Sequence, residues 1–349
     1  MPELKEVFDM VSQKVEPDLD SWNQQERRQR RVSRNRKVGA LAIAAVVVGI
    51  AVFFVAKESI RGGGPDRNTE TGRQPLPTEP PFGPMIVGTD GTVFERISGL
   101  PADASGLQMS PLGDGIAFMT DGRVATIRLD GTGLRVLTDD TRNSAGDAHE
   151  AVTWSPDGQQ IGFVADDDVY VMNSDGSNVR RLTTHSEGDY YPSWSSRGEI
   201  AYWHGSLVGV DGGPADSEIH TVAAGGGTPI RLTHNDVSNI QPDWSPDGER
   251  IAYWHGGELW MMGADGSDAH RIYMGDGGAW APAWSPDGAH IAFLSYDPSE
   301  RSLNNLPLLR VMVLDVETGE VADLQMRVET DLNGPSWSSS GALLVNRYD

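Results

Sequence analysis

The sequence contains no cysteine, and this absence excludes several kinds of site. No disulfide framework, zinc–thiolate centre or cysteine nucleophile can form in such a chain. The G-x-S-x-G nucleophile elbow, the H-E-x-x-H metal motif and the P-loop are absent as well. We therefore predict that the protein is not an enzyme, that it uses no cofactor, and that its core alone stabilises the folded domain.

Basic residues are scarce, with 28 Lys and Arg against 50 Asp and Glu, and the formal net charge is -22. The imbalance is uneven, because residues 1–37 hold nine basic and seven acidic side chains while residues 38–349 carry a net charge of -24. A surface this acidic repels phosphate groups. Nucleic acid is therefore excluded as a partner of the large C-terminal part, and the simplest reason for the acidity is solubility.

One long hydrophobic run is present. Residues 38–56 read VGALAIAAVVVGIAVFFVA, which is 19 residues without a charge. A helix of that length spans about 28 Å, close to the hydrocarbon thickness of a bilayer, and we predict a single transmembrane helix here. Seven Lys and Arg residues lie just before it, so the N-terminus is expected in the cytoplasm and the rest outside the plasma membrane. A cleaved signal peptide is the alternative, but the 37-residue polar lead-in is too long for one.

The segments on either side of this run differ in composition. Residues 1–37 form a basic cytoplasmic segment, in which apolar residues at helical spacing predict a short amphipathic helix over 3–16. This helix is a candidate contact for a cytoplasmic protein. Residues 57–84 are rich in Gly and Pro and predict a semi-extended linker between the membrane and the domain.

Residues 85–349 contain a repeated five-residue word. It reads WSPDG at 154–158, 244–248 and 284–288, with degraded copies MSPLG at 109–113, WSSRG at 194–198 and WSSSG at 337–341. The first positions of successive copies are 40 to 53 residues apart. A period of this length, built only from strand and turn signals, predicts the blades of a β-propeller.

Each word begins a unit of four predicted antiparallel strands, A to D. In the second copy the word is followed by IGF at 161–163, VYVMN at 169–173, the turn Asp175-Gly176 and RLT at 181–183. The last copy ends after strands A and B, whereas residues 85–98 supply a C–D pair before the first copy. We predict that the two half-blades combine into one blade, which closes the ring and sets the number of blades at six.

The WSPDG…RLT unit resembles the repeat of TolB and related six-bladed propellers, over about 265 of the 349 residues. The resemblance implies an all-β, six-bladed β-propeller, here preceded by the transmembrane helix, and it does not specify a function. TolB-like periplasmic proteins carry a cleaved signal and a small α/β domain where this chain has an anchor and a linker. Its basic N-terminus is similar to those of actinobacterial membrane proteins.

Strand order places the D–A and B–C connections on one face of the ring, here called the loop face, where binding usually resides. The longest connections are the D–A loops 138–151, 184–191, 234–241 and 325–335 and the B–C loops 203–217 and 294–308. The candidate binding residues on this face are Tyr190, Tyr191, Trp280, Trp203, His204, Trp254, His255, His149, His185, His234 and Gln241. Any one of these side chains could instead pack between blades or cap a loop, but together they predict a surface that binds a protein, a peptide or an envelope glycan.

No metal site is predicted. The acidic runs at 166–168 and 139–140 lack the spacing of an EF-hand, and solvated loop acids explain them better than calcium does. Convergence of His149, His185, His204, His234 and His255 at the channel mouth, as in some propeller lyases, is the less favoured alternative.

The sequence thus predicts a single-pass protein of the plasma membrane with an extracytoplasmic propeller. We expect it to act as a binding or sensing module that signals through its cytoplasmic N-terminus. The alternatives are a passive scaffold of the cell envelope and a metal-dependent polysaccharide lyase.

Overall fold

The computed structural model describes residues 83–89, 93–139, 151–185, 187–205, 217–275, 278–301, 307–328 and 334–347. These residues form 24 strands in six four-stranded antiparallel sheets. No helix in this part of the chain is long and apolar enough to cross a membrane. The predicted cytoplasmic segment, transmembrane helix and nearly all of the predicted linker lie outside the described residues.

The sheets follow one another around a ring as blades 1 to 6, with strand A of each blade on the inside. Blades 1 to 3 consist of β3 (Ser105–Met109), β4 (Gly115–Thr120), β5 (Arg123–Arg128) and β6 (Arg135–Val136); β7 (Val152–Trp154), β8 (Gln160–Ala165), β9 (Asp168–Asn173) and β10 (Arg180–Arg181); and β11 (Asp189–Trp194), β12 (Glu199–His204), β13 (Glu218–Ala223) and β14 (Ile230–Arg231). Blades 4 to 6 consist of β15 (Asn239–Trp244), β16 (Arg250–His255), β17 (Glu258–Gly263) and β18 (His270–Tyr273); β19 (Trp280–Trp284), β20 (His290–Arg301), β21 (Pro307–Asp315) and β22 (Val321–Val328); and β23 (Ser336–Trp337), β24 (Leu343–Arg347), β1 (Gly83–Val87) and β2 (Val93–Arg96).

Blade 6 joins the two ends of the domain. Its strand order is β2-β1-β24-β23, and β1 pairs with β24 so that Met85 lies opposite Val345 and Ile86 opposite Leu344. The predicted combination of two half-blades and the predicted count of six blades are both confirmed. Pairing β24 with β1 removes the free sheet edge that a chain ending at strand B would expose.

The repeated word forms the tight turn between strands A and B. In blade 2 the Ser155 hydroxyl donates to Asp157 Oδ1 at 2.6 Å and accepts from the Gln160 amide at 2.8 Å, while Gly158 has a φ of +68°. A residue with a β-carbon is strained at such a φ, which explains the glycine at the end of the word. The same pattern recurs at Ser245 and Ser285.

The acidic run at 166–168 has a structural explanation. Asp166 and Asp167 form the two-residue B–C turn of blade 2, with φ values of +49° and +63°. Two central residues with positive φ are typical of the type I′ hairpin turn, whose backbone twist matches that of the strands. Asp168 points inward instead and is 1% exposed. The run therefore serves as a turn and a buried anchor.

One predicted loop was wrong. Residues 294–308 were expected to be a B–C loop, but β20 continues to Arg301 and β21 begins at Pro307. The strands pair beyond the usual blade edge, with Tyr296 opposite Leu309 and Arg301 opposite Pro307. The insertion thus extends the hairpin of blade 5. The predicted D–A loop 325–335 likewise begins too early, because β22 continues to Val328.

The core lies between neighbouring blades. Ile161 and Phe163 of blade 2 pack against Ala117 and Met119 of blade 1, and all four are 1% exposed or less. Burial of one such large apolar side chain contributes about 1.5–3 kcal/mol. The apolar strand after the word thus packs blade 2 against blade 1.

The RLT word ties strand D to the strand before it. In blade 3 the Thr233 hydroxyl accepts from the Ile219 amide at 2.9 Å and donates to Glu218, and Arg231 Nη2 lies 2.6 Å from Glu218 Oε1. Glu218 is 5% exposed, so these partners replace the water that a buried carboxylate loses. Blade 2 repeats the network with Arg181, Thr183 and Asp168.

Candidate functional site

A cavity of about 410 Å³ lies on the central axis of the ring. All six blades line it through strand A, from the middle of the strand to the Ser and Pro residues of the repeated word. These words form the A–B turns, so the cavity extends toward the face that carries the A–B and C–D turns, here called the turn face. The predicted loop face is on the opposite side.

The residue just before the first position of each repeated word varies between blades and faces the cavity. These residues are Gln108, Thr153, Ser193, Asp243, Ala283 and Ser336. Several connect neighbouring blades: Ser193 Oγ accepts from the Trp244 amide at 3.1 Å, Asp243 Oδ2 from the Trp284 amide at 2.7 Å, and Ser336 Oγ from the Met109 amide at 3.0 Å. This ring of side chains thus joins the blades and also sets the polarity of the cavity.

Asp243 is the acidic member of this ring. Burial raises the pKa of its carboxyl to about 6, although hydrogen bonds from the Trp284 amide and the Ser193 hydroxyl oppose the shift. Among the described residues no Lys, Arg or His side chain forms an ion pair with it. The cavity therefore contains a carboxylate that no described basic side chain neutralises.

A bulge in strand A shapes the wall of the cavity. Tyr191, Gln241 and Ala281 occupy equivalent positions in blades 3 to 5, and all have φ values near +50°. The register of the A–B pairing shifts at each of these bulges. Non-glycine residues with positive φ cost free energy, and such strain is often found at functional sites. Of the predicted binding residues, Tyr191 and Gln241 line the cavity.

Three of the predicted aromatic residues lie in the protein interior. Tyr190, Trp203 and Trp254 are 5%, 1% and 4% exposed. Tyr190 packs on Trp203 with ring centroids 4.6 Å apart and donates its hydroxyl to Asp167 Oδ1 at 2.9 Å. These three side chains pack beneath the loop face. Trp280, at the start of β19, is partly buried.

Two of the predicted histidines meet on blade 3. His185 Nδ1 lies 2.9 Å from Asp189 Oδ2, and His204 Nδ1 lies 2.7 Å from Asp189 Oδ1. The hydrogen bond to Asp189 raises the pKa of His204. His220 packs edge-on against His204 with ring centroids 5.1 Å apart, and burial lowers its pKa.

The other predicted histidines are separate from this group. His255 lies on blade 4 and shares a hydrogen bond of 2.7 Å with Asn239 Oδ1, and burial lowers its pKa. His234 is exposed on the loop after strand D. His149 lies outside the described residues.

The sequence analysis missed Asp189, His220 and Asp243. Alignment of the repeats on their Trp would have revealed two of them. Asp189 occupies the position of Asn239 in the next blade, and Asp243 is the acidic residue at a position that is otherwise neutral. His220 gave no such signal, because its neighbours in strand C vary between blades.

Comparison with known proteins agrees with this architecture. A family model described as the TolB beta propeller domain matches residues 141–258. Among solved structures, the chain is similar to a putative TolB from Agrobacterium tumefaciens, with 24% identity and a TM-score of 0.62 over 76% of this chain and 98% of that one. The domain is a TolB-like six-bladed propeller, as the repeat predicted.

Two further structures share the fold at lower identity. An oligogalacturonate lyase in complex with manganese is 15% identical, with a TM-score of 0.51 over 69% of this chain and 70% of that one. A chain of a nidogen/laminin complex is 11% identical, with a TM-score of 0.53 over 72% and 95%. A search of the curated proteins found no match.

Proposed function

We infer that this chain is a membrane-anchored, extracytoplasmic propeller that binds a protein or peptide by taking a cationic group into its central cavity. Its role is that of a binding module and not of an enzyme, which is the role that a TolB-like propeller suggests. The observation that carries the proposal is Asp243, a carboxylate held in a cavity of about 410 Å³ with no described ion-pair partner.

The chemistry of the cavity favours a cationic ligand group. A buried charge is normally paired, and an ammonium or guanidinium group from a ligand would form an ion pair with the carboxylate of Asp243. The overall field acts in the same direction, because residues 38–349 carry a net charge of -24. A field of this sign attracts cationic partners and raises their association rate.

The walls of the cavity suit a side chain or a chain end. Five tryptophans and several prolines line it together with polar side chains such as Gln108, Thr153 and Gln241. Its volume lies within the range of ligand pockets, which runs from about 300 to 1,000 Å³. The fold also serves in a protein–protein assembly, since one similar structure is a nidogen/laminin complex.

The proposed location rests on the sequence of residues 1–84. The apolar run 38–56 would anchor the protein, the basic residues before it would hold the N-terminus in the cytoplasm, and residues 57–84 would tether the propeller outside. Protease added to intact cells should then remove the propeller but leave residues 1–37 protected. Loss of the N-terminal segment, or protection of the propeller, would contradict this orientation.

The amphipathic helix over 3–16 would pass on the state of the propeller, so deletion of residues 1–20 should abolish the cellular response and leave anchoring intact.

A crosslinking capture on the intact protein tests the binding site. Ser196 and Ser339 are exposed at the cavity mouth on opposite blades, and replacing both with Trp should block entry without disturbing the core. We expect this double variant and Asp243→Asn to lose the partner that the wild-type protein captures. Ser340→Trp is the matched control, because Ser340 lies on the same turn but does not line the cavity.

The loop face is the other surface that this experiment separates. Trp280→Ala and His234→Ala change its partly or fully exposed side chains and leave the cavity intact. Capture that survives the blocked mouth but is lost in these two variants would move the site to the loop face and overturn the cavity proposal.

A further inference from the structure

Blade 3 gathers three side chains that metal ions prefer. Candidate ligand atoms of His185, Asp189 and His204 all lie within 4.8 Å of one another. Asp189 begins β11 and lies opposite His204 at the end of β12, whereas His185 comes from the loop that follows strand D of blade 2. Three elements of the chain thus converge on one point of the loop face.

The carboxylate at the centre of this group needs a positive charge. The side chain of Asp189 is completely buried, and its hydrogen-bond partners among the described residues are the imidazoles of His185 and His204. Arg181, the nearby cationic side chain, is paired with Asp168. A buried carboxylate is stable when it is paired with a cation or coordinates a metal ion.

Blade 4 shows the same geometry with different side chains. Asn235, Asn239 and His255 occupy the positions of His185, Asp189 and His204. Asn239 Nδ2 donates to Asn235 Oδ1 at 3.1 Å and to Glu218 Oε2 at 2.9 Å, and Asn239 Oδ1 accepts from His255 Nδ1 at 2.7 Å. The side chains of this set are thus satisfied by hydrogen bonds. The loop of blade 4 is therefore held with two amides at the positions of His185 and Asp189, and the second imidazole and the carboxylate at these positions in blade 3 call for another explanation.

We propose that His185, Asp189 and His204 form a binding site for a divalent transition-metal ion, with Zn²⁺ as the best match to two imidazoles and one carboxylate. The fourth position is open to water. The bound ion would join the D–A loop to the ends of strands A and B. This proposal does not depend on the binding function of the central cavity.

Metal titration of the full-length protein tests the site. After treatment with a chelator, the protein is titrated with Zn²⁺ by calorimetry and with Co²⁺ by visible absorption, which reports the coordination geometry. We expect one equivalent to bind, and we expect His204→Gln to weaken binding by about tenfold or more, on the scale by which metal sites depend on their ligands. Zn²⁺ should also raise the unfolding temperature, because it binds the folded state.

The two neighbouring blades supply matched variants. His185→Asn combined with Asp189→Asn copies the pattern of blade 4, so this double variant is expected to fold and to lose the bound metal. His255→Gln is the control at the position equivalent to His204 and should retain wild-type affinity. The proposal is overturned if the wild type shows no saturable binding of either metal, if the folded double variant binds as tightly as the wild type, or if His255→Gln weakens binding as much as His204→Gln.

Discussion

At the scale of single residues, four described carboxylates that are wholly or partly buried fall into two groups. Asp168 and Glu218 are surrounded by the Arg and Thr of the RLT word, and they tie strand D of their blade to strand C. Asp189 and Asp243 lack a described Lys or Arg partner, and they occupy the two candidate sites. A buried charge that the fold does not balance is informative about function because its burial costs free energy.

The hydrogen bonds of the RLT word predict the effect of one substitution on stability. Thr233→Val removes a hydroxyl that accepts from the Ile219 amide and donates to Glu218. Since both groups are buried, we expect a loss of about 1–3 kcal/mol in the free energy of unfolding, measured by urea denaturation. Thr132→Val is the matched control, because the Thr132 hydroxyl bonds Asp130 on an exposed turn. An equal loss in both variants would show that the network is not the cause.

The raised pKa of Asp243 predicts how the stability of the folded protein depends on pH. Its pKa is about 6 in the folded protein and near the usual value of about 4 in the unfolded chain, so the folded state binds more protons between these values. The contribution of Asp243 to stability is therefore favourable at low pH and falls as the pH rises from about 4 to about 6. Asp243→Asn removes this titration and should be more stable than the wild type at pH 7 by about 1–2 kcal/mol, with the difference vanishing near pH 4.

Asp247→Asn is the contrasting control. A hydrogen bond from Ser245 lowers the pKa of Asp247, so this exposed carboxylate stabilises the fold above its unfolded pKa and loses that effect as the pH falls. Between pH 4 and 7 the stability difference from the wild type should therefore grow with pH for Asp243→Asn and stay constant for Asp247→Asn, whose difference changes only below about pH 4. Parallel pH profiles would contradict the assignment of a raised pKa to Asp243.

At the scale of elements, the bulge in strand A is the feature that shapes the cavity. Gly334 occupies it in blade 6, with a φ of +73°, and a β-carbon there would lie 2.5 Å from that of Ala281 in blade 5. Gly341 has a similar φ of +82° but no atom within 4 Å of such a β-carbon.

These two glycines separate backbone strain from steric conflict. Gly341→Ala should cost about 1–2 kcal/mol, the penalty of a left-handed conformation. Gly334→Ala should cost more, because the neighbouring blade must also move. Thermal unfolding of the two variants measures the difference, and equal losses would mean that the bulges of blades 5 and 6 are not in close contact.

Much of the blade could be predicted from the sequence, because its signals are local. The word WSPDG contains the hydroxyl, carboxylate and glycine that its turn requires, and the strand after it contains an apolar stretch such as IGF at 161–163. The bulge could not be predicted in the same way, since Tyr191, Gln241 and Ala281 share no chemical property. The extended hairpin of blade 5 also gave no signal, because its strands continue through polar residues such as Asp297 and Arg301.

At the scale of the whole molecule, the two ends of the domain close the ring by pairing in blade 6. The two halves of blade 6 are more than 240 residues apart in the chain, yet the unequal ends of the repeat predicted their pairing. The position of the cavity could not be predicted in the same way. It depends on the face of the ring to which the space between the six A strands extends. The sequence placed the binding surface on the loop face, and the cavity reaches the turn face.

Removal of the N-terminal half of blade 6 should therefore be far more damaging than its length suggests. A chain that lacks residues 83–96 loses β1 and β2 and exposes the edge of β24. We expect it to unfold at lower temperature, with a broader transition, and to aggregate through that edge. Deletion of residues 57–75 is the control, since it shortens the chain by a similar amount and leaves the strands complete. A sharp unfolding transition in the first chain would show that the ring does not need this closure.

The most direct measurement for the account as a whole is site-specific photocrosslinking of the intact protein in its own cells. A photoreactive amino acid is placed in turn at Ser196 at the cavity mouth, at His234 on the loop face and at Glu317 on an exposed C–D turn that does not line the cavity. We predict a discrete crosslinked partner from Ser196, its loss when Asp243→Asn is added, and no adduct from Glu317. An adduct from His234 alone, or no adduct from Ser196, would contradict the claim that the central cavity is the binding site.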